Sequence, residues 1–332
     1  MDSLNDLKTV DHLEVQVLVD NVLDILSSVP ETVTSEIPNL IKAGATELGG
    51  GCLCCGAWGL SLAISTFADG KRRTLLFDSG PEAYALERNT TRLGFDFGEI
   101  GCVVASHGHF DHTAGMPRAL ELMGNANGGK KVQMHVNPGM FHKRADCDSP
   151  DGSVLPLEDV PSLTVLENAG AEIVNTNESR FVLGDTVWLS GEIPRVTDYE
   201  KGLPTQVRRD EQGVWVPDPL QLDERYLAVN VIGLGIIVFS ACSHSGIVNV
   251  LSDAKKRFDP VQLYAVMGGL HLSGPSYEPL IERSVSDIGK FGLKRMIVGH
   301  CTGWRALQAL VAAYGDTVIP EAVGQTHRFG VP

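Results

Sequence analysis

The 332-residue chain is short of positive charge: 27 Lys and Arg face 41 Asp and Glu, for a net charge of −14. Such a surface repels phosphate backbones, which argues against a general nucleic-acid binder. Aromatic residues are also few, at 6%, so a stacking platform for single strands is disfavoured. No apolar run reaches the roughly 18 residues that a membrane span needs, so no membrane partner is expected. The stretch from Met1 to Leu13 contains Asp2, Asp6 and Asp11 and lacks the apolar segment of a secretory leader. The expected location is therefore the cytoplasm. The seven cysteines are odd in number and scattered, which does not describe a disulfide framework. Cys52, Cys54 and Cys55 do cluster, but a zinc ribbon needs a second, separated pair that is missing. Reduced thiols are expected there.

What is present is a globular composition, with 43% hydrophobic and 20% charged residues. No composition break divides the chain, and a single domain over 1–332 is the reading. Leu13, Val15, Val17 and Val19 alternate as in a strand. Leu60 to Phe67 alternates too, Asp69-Gly70 supplies a turn, and Arg73 to Phe77 returns as the second strand of a hairpin. Ile100 to Ser106, Lys131 to Val136, Glu172 to Val174 and Phe181 to Leu189 read as further strands, and Gly115 to Met123 as a helix. Phe141 to Leu163, with Pro150, Pro156 and Pro161, reads as a long loop. A second long loop, over about 195–225, is charged and without sustained period, as in a lid over a site. Beyond it, Leu227 to Ile232 and Ile236 to Phe239 form a hairpin, and strands and helices then alternate to the end. Strand pairs with interleaved helices suggest an α/β sandwich of two mixed β-sheets flanked by helices.

The chemistry gathers in Ser106-His107-Gly108-His109-Phe110-Asp111-His112. One histidine is usually a packing or capping residue. Three imidazoles and a carboxylate in so short a window are the mark of a site for zinc, manganese or iron. The segment follows an apolar strand, and Gly108 lets His107 and His109 approach one ion. His244, His271 and His300 each stand just past another apolar strand, where sites of layered α/β proteins collect. The expected metal ligands are His107, His109, Asp111, His112, His244 and His300, with His271 in the pocket wall. His12, His135, His142 and His327 read as structural or solvated. Asp78 ends a strand, either as an Asx turn or as a buried carboxylate that orients a metal-bound imidazole.

The His107-Gly108-His109-Phe110-Asp111-His112 segment resembles the HxHxDH signature of the metallo-β-lactamase superfamily, and Phe77-Asp78-Ser79-Gly80 resembles the aspartate motif preceding it. Ser190 to Arg195, Ser240 to Gly246, Gly268 to Leu272 and Gly299 to Gly303 look like the branch that contains dihydropterin-type synthases. The resemblance implies an αββα sandwich with metals at one edge of the sheets. It implies that His107 and His109 hold a first ion, Asp111 and His112 a second, and His300 is the last histidine ligand. Two positions depart from the pattern: Cys242-Ser243-His244 stands where a bridging aspartate is common, and Glu192 where many members have a histidine. The implied cofactor is one or two divalent transition ions, zinc first, with manganese and iron as alternatives.

Such an ion lowers the pKa of bound water toward about 7. The first expectation is thus a hydrolase that turns a metal-bound hydroxide on an ester, lactone or phosphoester, with Asp111 and His271 as catalytic groups. The substrate expected is an anionic small molecule, held by helix N-termini and by Arg195, Arg208 and Arg209 of the long loop. Glu192, Arg195 and Thr302 join Asp78 as candidates for supporting or substrate contacts. A dihydropterin-type transferase that releases pyrophosphate is the alternative, and a non-catalytic metal-binding or sensing protein the third. A homo-oligomer is allowed.

Overall fold

A computed structural model of the chain describes residues 7–147 and 153–331. Pro150, within the expected 141–163 loop, lies outside the described residues, as do residues 1–6 of the N-terminal stretch.

The chain opens with β1 (His12–Val19), the short β2 (Val33–Thr34) and α1 (Glu36–Lys42). β3 (Ser61–Ala68) and β4 (Lys71–Phe77) are the expected hairpin. Asp69 and Gly70 take φ of 53° and 68° between them, the left-handed pair that matches the twist of the flanking strands. α2 (Ala83–Arg92), β5 (Ile100–Val104), the single turn α3 (Phe110–Thr113), α4 (Met116–Asn127) and β6 (Val132–Val136) follow. α4 has a proline in its first turn and ends at Gly128 with φ 76°, the usual punctuation of a helix.

β7 (Arg144–Asp146) and β8 (Leu155–Pro156) precede α5 (Leu163–Asn168), β9 (Ala171–Asn175), β10 (Arg180–Val182) and β11 (Val187–Leu189). Phe181 to Leu189 is thus not one strand. Leu183, Gly184 and Asp185 all have positive φ and fold it into the hairpin β10–β11. β12 (Gln206–Arg209) and β13 (Trp215–Pro217) lie in the 195–225 segment. The last third comprises β14 (Leu227–Val231), β15 (Gly235–Ser240), α6 (Ile247–Phe258), β16 (Leu263–Gly269), α7 (Ile281–Ile288), β17 (Arg295–Gly299), α8 (Trp304–Tyr314), β18 (Val318–Pro320) and β19 (Thr326–Phe329).

Among the described residues the strands form three sheets. An eight-stranded sheet runs β2-β19-β1-β3-β4-β5-β6-β9, parallel from β4 to β9. A seven-stranded sheet runs β10-β11-β14-β15-β16-β17-β18, parallel from β15 to β18. The alternation of the strands decides the layers. Leu62, Ile64, Leu75 and Phe77 of the first sheet meet Val229, Ile237, Phe239 and Met267 of the second in a core between the sheets. The opposite face of the first sheet carries α1, α2, α4 and α5 through Leu76, Val103, Leu120 and Met123. The opposite face of the second carries α6, α7 and α8 through Val238, Leu251, Phe258 and Leu310. Burying each such aliphatic or aromatic side chain contributes about 1.5–3 kcal/mol, so the two sheets and their helices are held mainly by this periodicity.

The third sheet, β13-β12-β7-β8, corrects the sequence reading of two structureless loops. Its strands are two to four residues long, too short to show a period, and they pair only with one another. No helix among the described residues is long and apolar enough to cross a membrane.

Candidate metal centre

The parallel strands of both sheets end on the same side, and the chemistry-bearing residues lie just past those ends. Asp78 follows β4, His107 follows β5, Cys242 and His244 follow β15, His271 follows β16 and His300 follows β17. The turns there are strained. Asp78, Ser243, His271 and His300 have φ of 61°, 62°, 45° and 46°, in the left-handed region that side chains other than glycine rarely occupy. Such strain persists only where surrounding packing over-determines it, and it concentrates at functional sites.

Hydrogen bonds fix which nitrogen of each imidazole is free. Asp78, fully buried, accepts from Ser106 N at 2.7 Å and from Ser106 Oγ at 2.7 Å. The Ser106 hydroxyl proton is thereby committed, so the 2.8 Å contact with His107 Nδ1 requires that nitrogen to donate. His112 Nδ1 donates to Asp78 Oδ2 at 2.7 Å. Both rings therefore present Nε2 lone pairs to the interior. His107 Nε2 lies 3.0 Å from His244 Nε2, and His112 Nε2 lies 3.1 Å from Cys242 Sγ. Asp111 Oδ2 is 3.4 Å from His300 Nε2 and 3.7 Å from His112 Nε2.

The donor atoms fall into overlapping groups, each within 4.8 Å: His107, His109 and His244; Asp111, His112 and His300; and Cys242 with His107 and His112, with His244 and His271, or with His300 and Cys301. His244 Nδ1, His271 Nδ1 and both ring nitrogens of His300 are buried without a hydrogen-bond partner. Unpartnered nitrogens among nitrogen, oxygen and sulfur donors packed this closely fit one or two transition ions. His107, His109 and His244 would hold one ion and Asp111, His112 and His300 a second, with Cys242 between them.

The charge states follow from burial and from the ionisable groups packed together here. Burial, reinforced by the neighbouring imidazoles, pushes His107 and His244 well down. Burial brings His109 down to about 4. Burial alone would raise Asp111, but His112 and His300 outweigh it and hold its carboxyl down. His300 moves the other way: despite burial, Cys301 and Asp111 carry it up to about 9. Burial raises the Cys242 thiol.

His271 is half-buried, its ring centroid 4.4 Å from His244 and 4.6 Å from Tyr277. It faces a cleft of about 320 Å³ above the centre. Trp58, 52% exposed, forms one wall with its ring 5.2 Å from His300, and Phe110, Leu157, Leu203 and Tyr277 continue the lining. Thr302 is buried behind this floor, its Oγ1 accepting from Leu270 N at 3.0 Å.

Two candidates stand elsewhere. Glu192 is exposed on a separate depression with Ser179, Asp253 and Arg257. Strand β11 ends at Leu189, before it, and Glu192 is not among the residues lining the cleft. Arg195 donates to the carbonyls of Ile193, at 2.5 Å, and Leu220. Arg208 lies 3.9 Å from Asp218, and Arg209 packs 4.6 Å over Trp215. The cleft lining contains no Lys or Arg among the described residues, so none of these arginines lines it. Sequence reasoning passed over Cys242 and Cys301 as donors, although both adjoin or nearly adjoin named histidines past strand ends. It also missed Gln206, Asp223 and Arg144, which had no local signal.

Two mixed sheets packed as a sandwich between helices, with a cluster of potential nitrogen, oxygen and sulfur ligands at their strand ends, define the class: the chain has the metallo-β-lactamase fold. Tm1679, described as a metal-dependent hydrolase of the β-lactamase superfamily, superposes with a TM-score of 0.67 at 20% identity, over 96% of this chain and 99% of that one. Unliganded yeast PDE1 superposes with a TM-score of 0.53 at 11% identity, over 97% and 100%. By sequence, the chain is 29% identical over 251 residues to the 7,8-dihydropterin-6-methyl-4-(β-D-ribofuranosyl)-aminobenzene-5′-phosphate synthase of Methanocaldococcus jannaschii, 75% of this chain and 82% of that protein. It is also 29% identical over 252 residues to the uncharacterised protein MJ0448 of the same archaeon, 74% of this chain and 86% of that protein. No family model matches the chain.

Proposed function

We propose that this protein is a metal-dependent hydrolase that cleaves an ester, lactone or phosphoester bond in a small molecule. The observation that carries the reading is the convergence of lone pairs from His107, His112 and their neighbours beneath an open cleft. When bound, a divalent ion, zinc first among the candidates, would supply Lewis acidity and an acidified water. The chain's own groups do the rest. Asp78, through Ser106 and directly, holds two imidazoles in the tautomer that can bind. Asp111, kept ionised beside His300, is placed to accept a proton from a nucleophilic water. His271, at the cleft wall, is placed to give a proton to a leaving group. Trp58, Phe110 and Tyr277 offer an apolar and aromatic surface for the substrate body. With no Lys or Arg in that lining, negative charge on the substrate is best confined to the reacting group. The buried thiols Cys242 and Cys301 suit a reducing, cytoplasmic setting.

The second reading, a transferase releasing pyrophosphate, is favoured by the likeness to the archaeal synthase. One experiment separates the two. Protein purified without chelator, with its metal content measured, is incubated with phosphodiesters, lactones and thioesters, and separately with a dihydropterin pyrophosphate and an arylamine. Hydrolysis in the first panel is the expected result. Acceptor-dependent pyrophosphate release with no hydrolysis would establish the transferase instead.

A further inference from the structure

We infer that Gln206, on the small third sheet, is a positioning residue of the metal centre that holds His109 in the tautomer with Nδ1 free for an ion. The inference rests on the metal-binding reading of His109 and not on the substrate. The small sheet is then a working part of the centre as well as a cover over it.

Gln206 opens β12 and is 5% exposed. Its Oε1 lies 2.6 Å from His109 Nε2. A side-chain amide can face either way, so its orientation has to be argued from its partners. Gln206 Nε2 donates to the Asp218 backbone carbonyl at 3.1 Å, a group that can only accept. It also donates to Gln221 Oε1 at 2.6 Å. Gln221 Nε2 in turn lies 3.3 Å from both Asp223 carboxylate oxygens, which when ionised only accept. The relay is thus anchored at both ends by obligate acceptors, and Gln206 Oε1 must accept from His109. His109 then carries its proton on Nε2 and leaves Nδ1 as the ligand atom. Gln221 achieves its reach with φ 47°, one more left-handed residue whose strain is concentrated around this centre.

The same relay grips the motif backbone. Asp223 Oδ2 accepts from Gly108 N at 2.8 Å, and Arg144 of β7 bonds Asp223 Oδ1 at 2.5 Å and Gly108 O at 3.1 Å. A side chain at position 108 would collide with the Arg144 guanidinium and the Met140 carbonyl. Gly108 therefore serves this close approach as well as the bend between the two histidines.

The test uses the full-length chain, with Zn²⁺ and Co²⁺ as probes. Gln206→Leu removes the acceptor. Gln206→Glu, held protonated by burial beside the Asp218 carbonyl and Gln221 Oε1, keeps an acceptor facing His109 and puts an O–H in the place of the amide donor. Zn²⁺ affinity, by competition with a chromophoric chelator, should fall about 10–100-fold in Gln206→Leu, the usual cost of losing a partner that orients a ligand, and stay close to the parent in Gln206→Glu. The visible bands of the Co²⁺ form should shift in the leucine variant only. In the metal-free parent, nitrogen-15 NMR should find His109 protonated on Nε2. Zn²⁺ affinity and Co²⁺ bands unchanged in Gln206→Leu would overturn the inference, as would equal weakening in both variants. If the leucine variant does not fold, the parent spectrum decides: a proton on His109 Nδ1 refutes it. None of these readouts depends on hydrolytic activity, so failure here leaves the proposed reaction standing.

Discussion

Asp78→Asn is the sharpest perturbation of the metal centre. Asp78 uses Oδ1 for the Ser106 backbone N–H and Oδ2 for both the Ser106 hydroxyl and His112 Nδ1. A backbone N–H can only donate, so the asparagine oxygen must take the Oδ1 place and its NH₂ group the Oδ2 place. That NH₂ group donates where the carboxylate accepted. His112 Nδ1 must then become an acceptor, which moves its proton to Nε2, against Cys242 and Asp111. Ser106, now accepting from the amide, turns its own proton toward His107 Nδ1, and His107 is driven to the same wrong tautomer. Asn tolerates the left-handed backbone at this position, where φ is 61°, so the substitution adds no strain of its own. Each misdirected ligand costs about 10–100-fold in metal affinity. Two together give roughly 10²–10⁴-fold, or about 2.8–5.6 kcal/mol. The assay is Zn²⁺ competition against a chelator of known affinity, with the thermal midpoint of the metal-free protein as a folding control. A folded Asp78→Asn variant that binds Zn²⁺ as tightly as the parent would refute the tautomer argument, whatever its activity.

The remaining expectations concern single residues. His244→Ala and His300→Ala should each lose metal and activity together by elemental analysis, whereas His271→Ala should keep its metal and lose turnover. Equal metal loss in all three would put His271 among the ligands. Trp58→Ala should raise KM for aromatic or acyl substrates with metal content unchanged, since the ring lines the cleft and bonds no ligand. His327 is fully enclosed far from the cleft, and burial, with Arg295 adding to it, lowers its pKa to about 3. Its folded value lies below the unfolded 6.5, so the unfolded chain binds the extra proton. The parent should lose stability relative to His327→Gln as pH falls below 6.5 toward 3, by about 1.4 kcal/mol per pH unit, in denaturant titrations. A constant difference over that range would count against it.

The sequence by itself determined the residues whose partners are close along the chain. The hairpin β3–β4 is written in strict alternation and an Asp-Gly turn, because strand faces and turn φ are local properties. The run from His107 to His112 is legible for the same reason: its ligands are neighbours, so their density is visible without a fold. The late histidines could be placed past strand ends, since the apolar runs before them are local as well. Tertiary structure alone decided what brings distant segments into one place. It put Glu192 on a separate depression and Arg195 on the carbonyls of Ile193 and Leu220, neither of them lining the cleft. It drew Cys242 and Cys301 among the imidazoles, and it built a third sheet from strands too short to carry a period. His109 and Gln206 are 97 residues apart, and Gly108 and Asp223 are 115 apart. A hydrogen bond over such a separation leaves no trace in spacing or composition. It exists only once the packing of the two sheets has fixed where each chain segment must end.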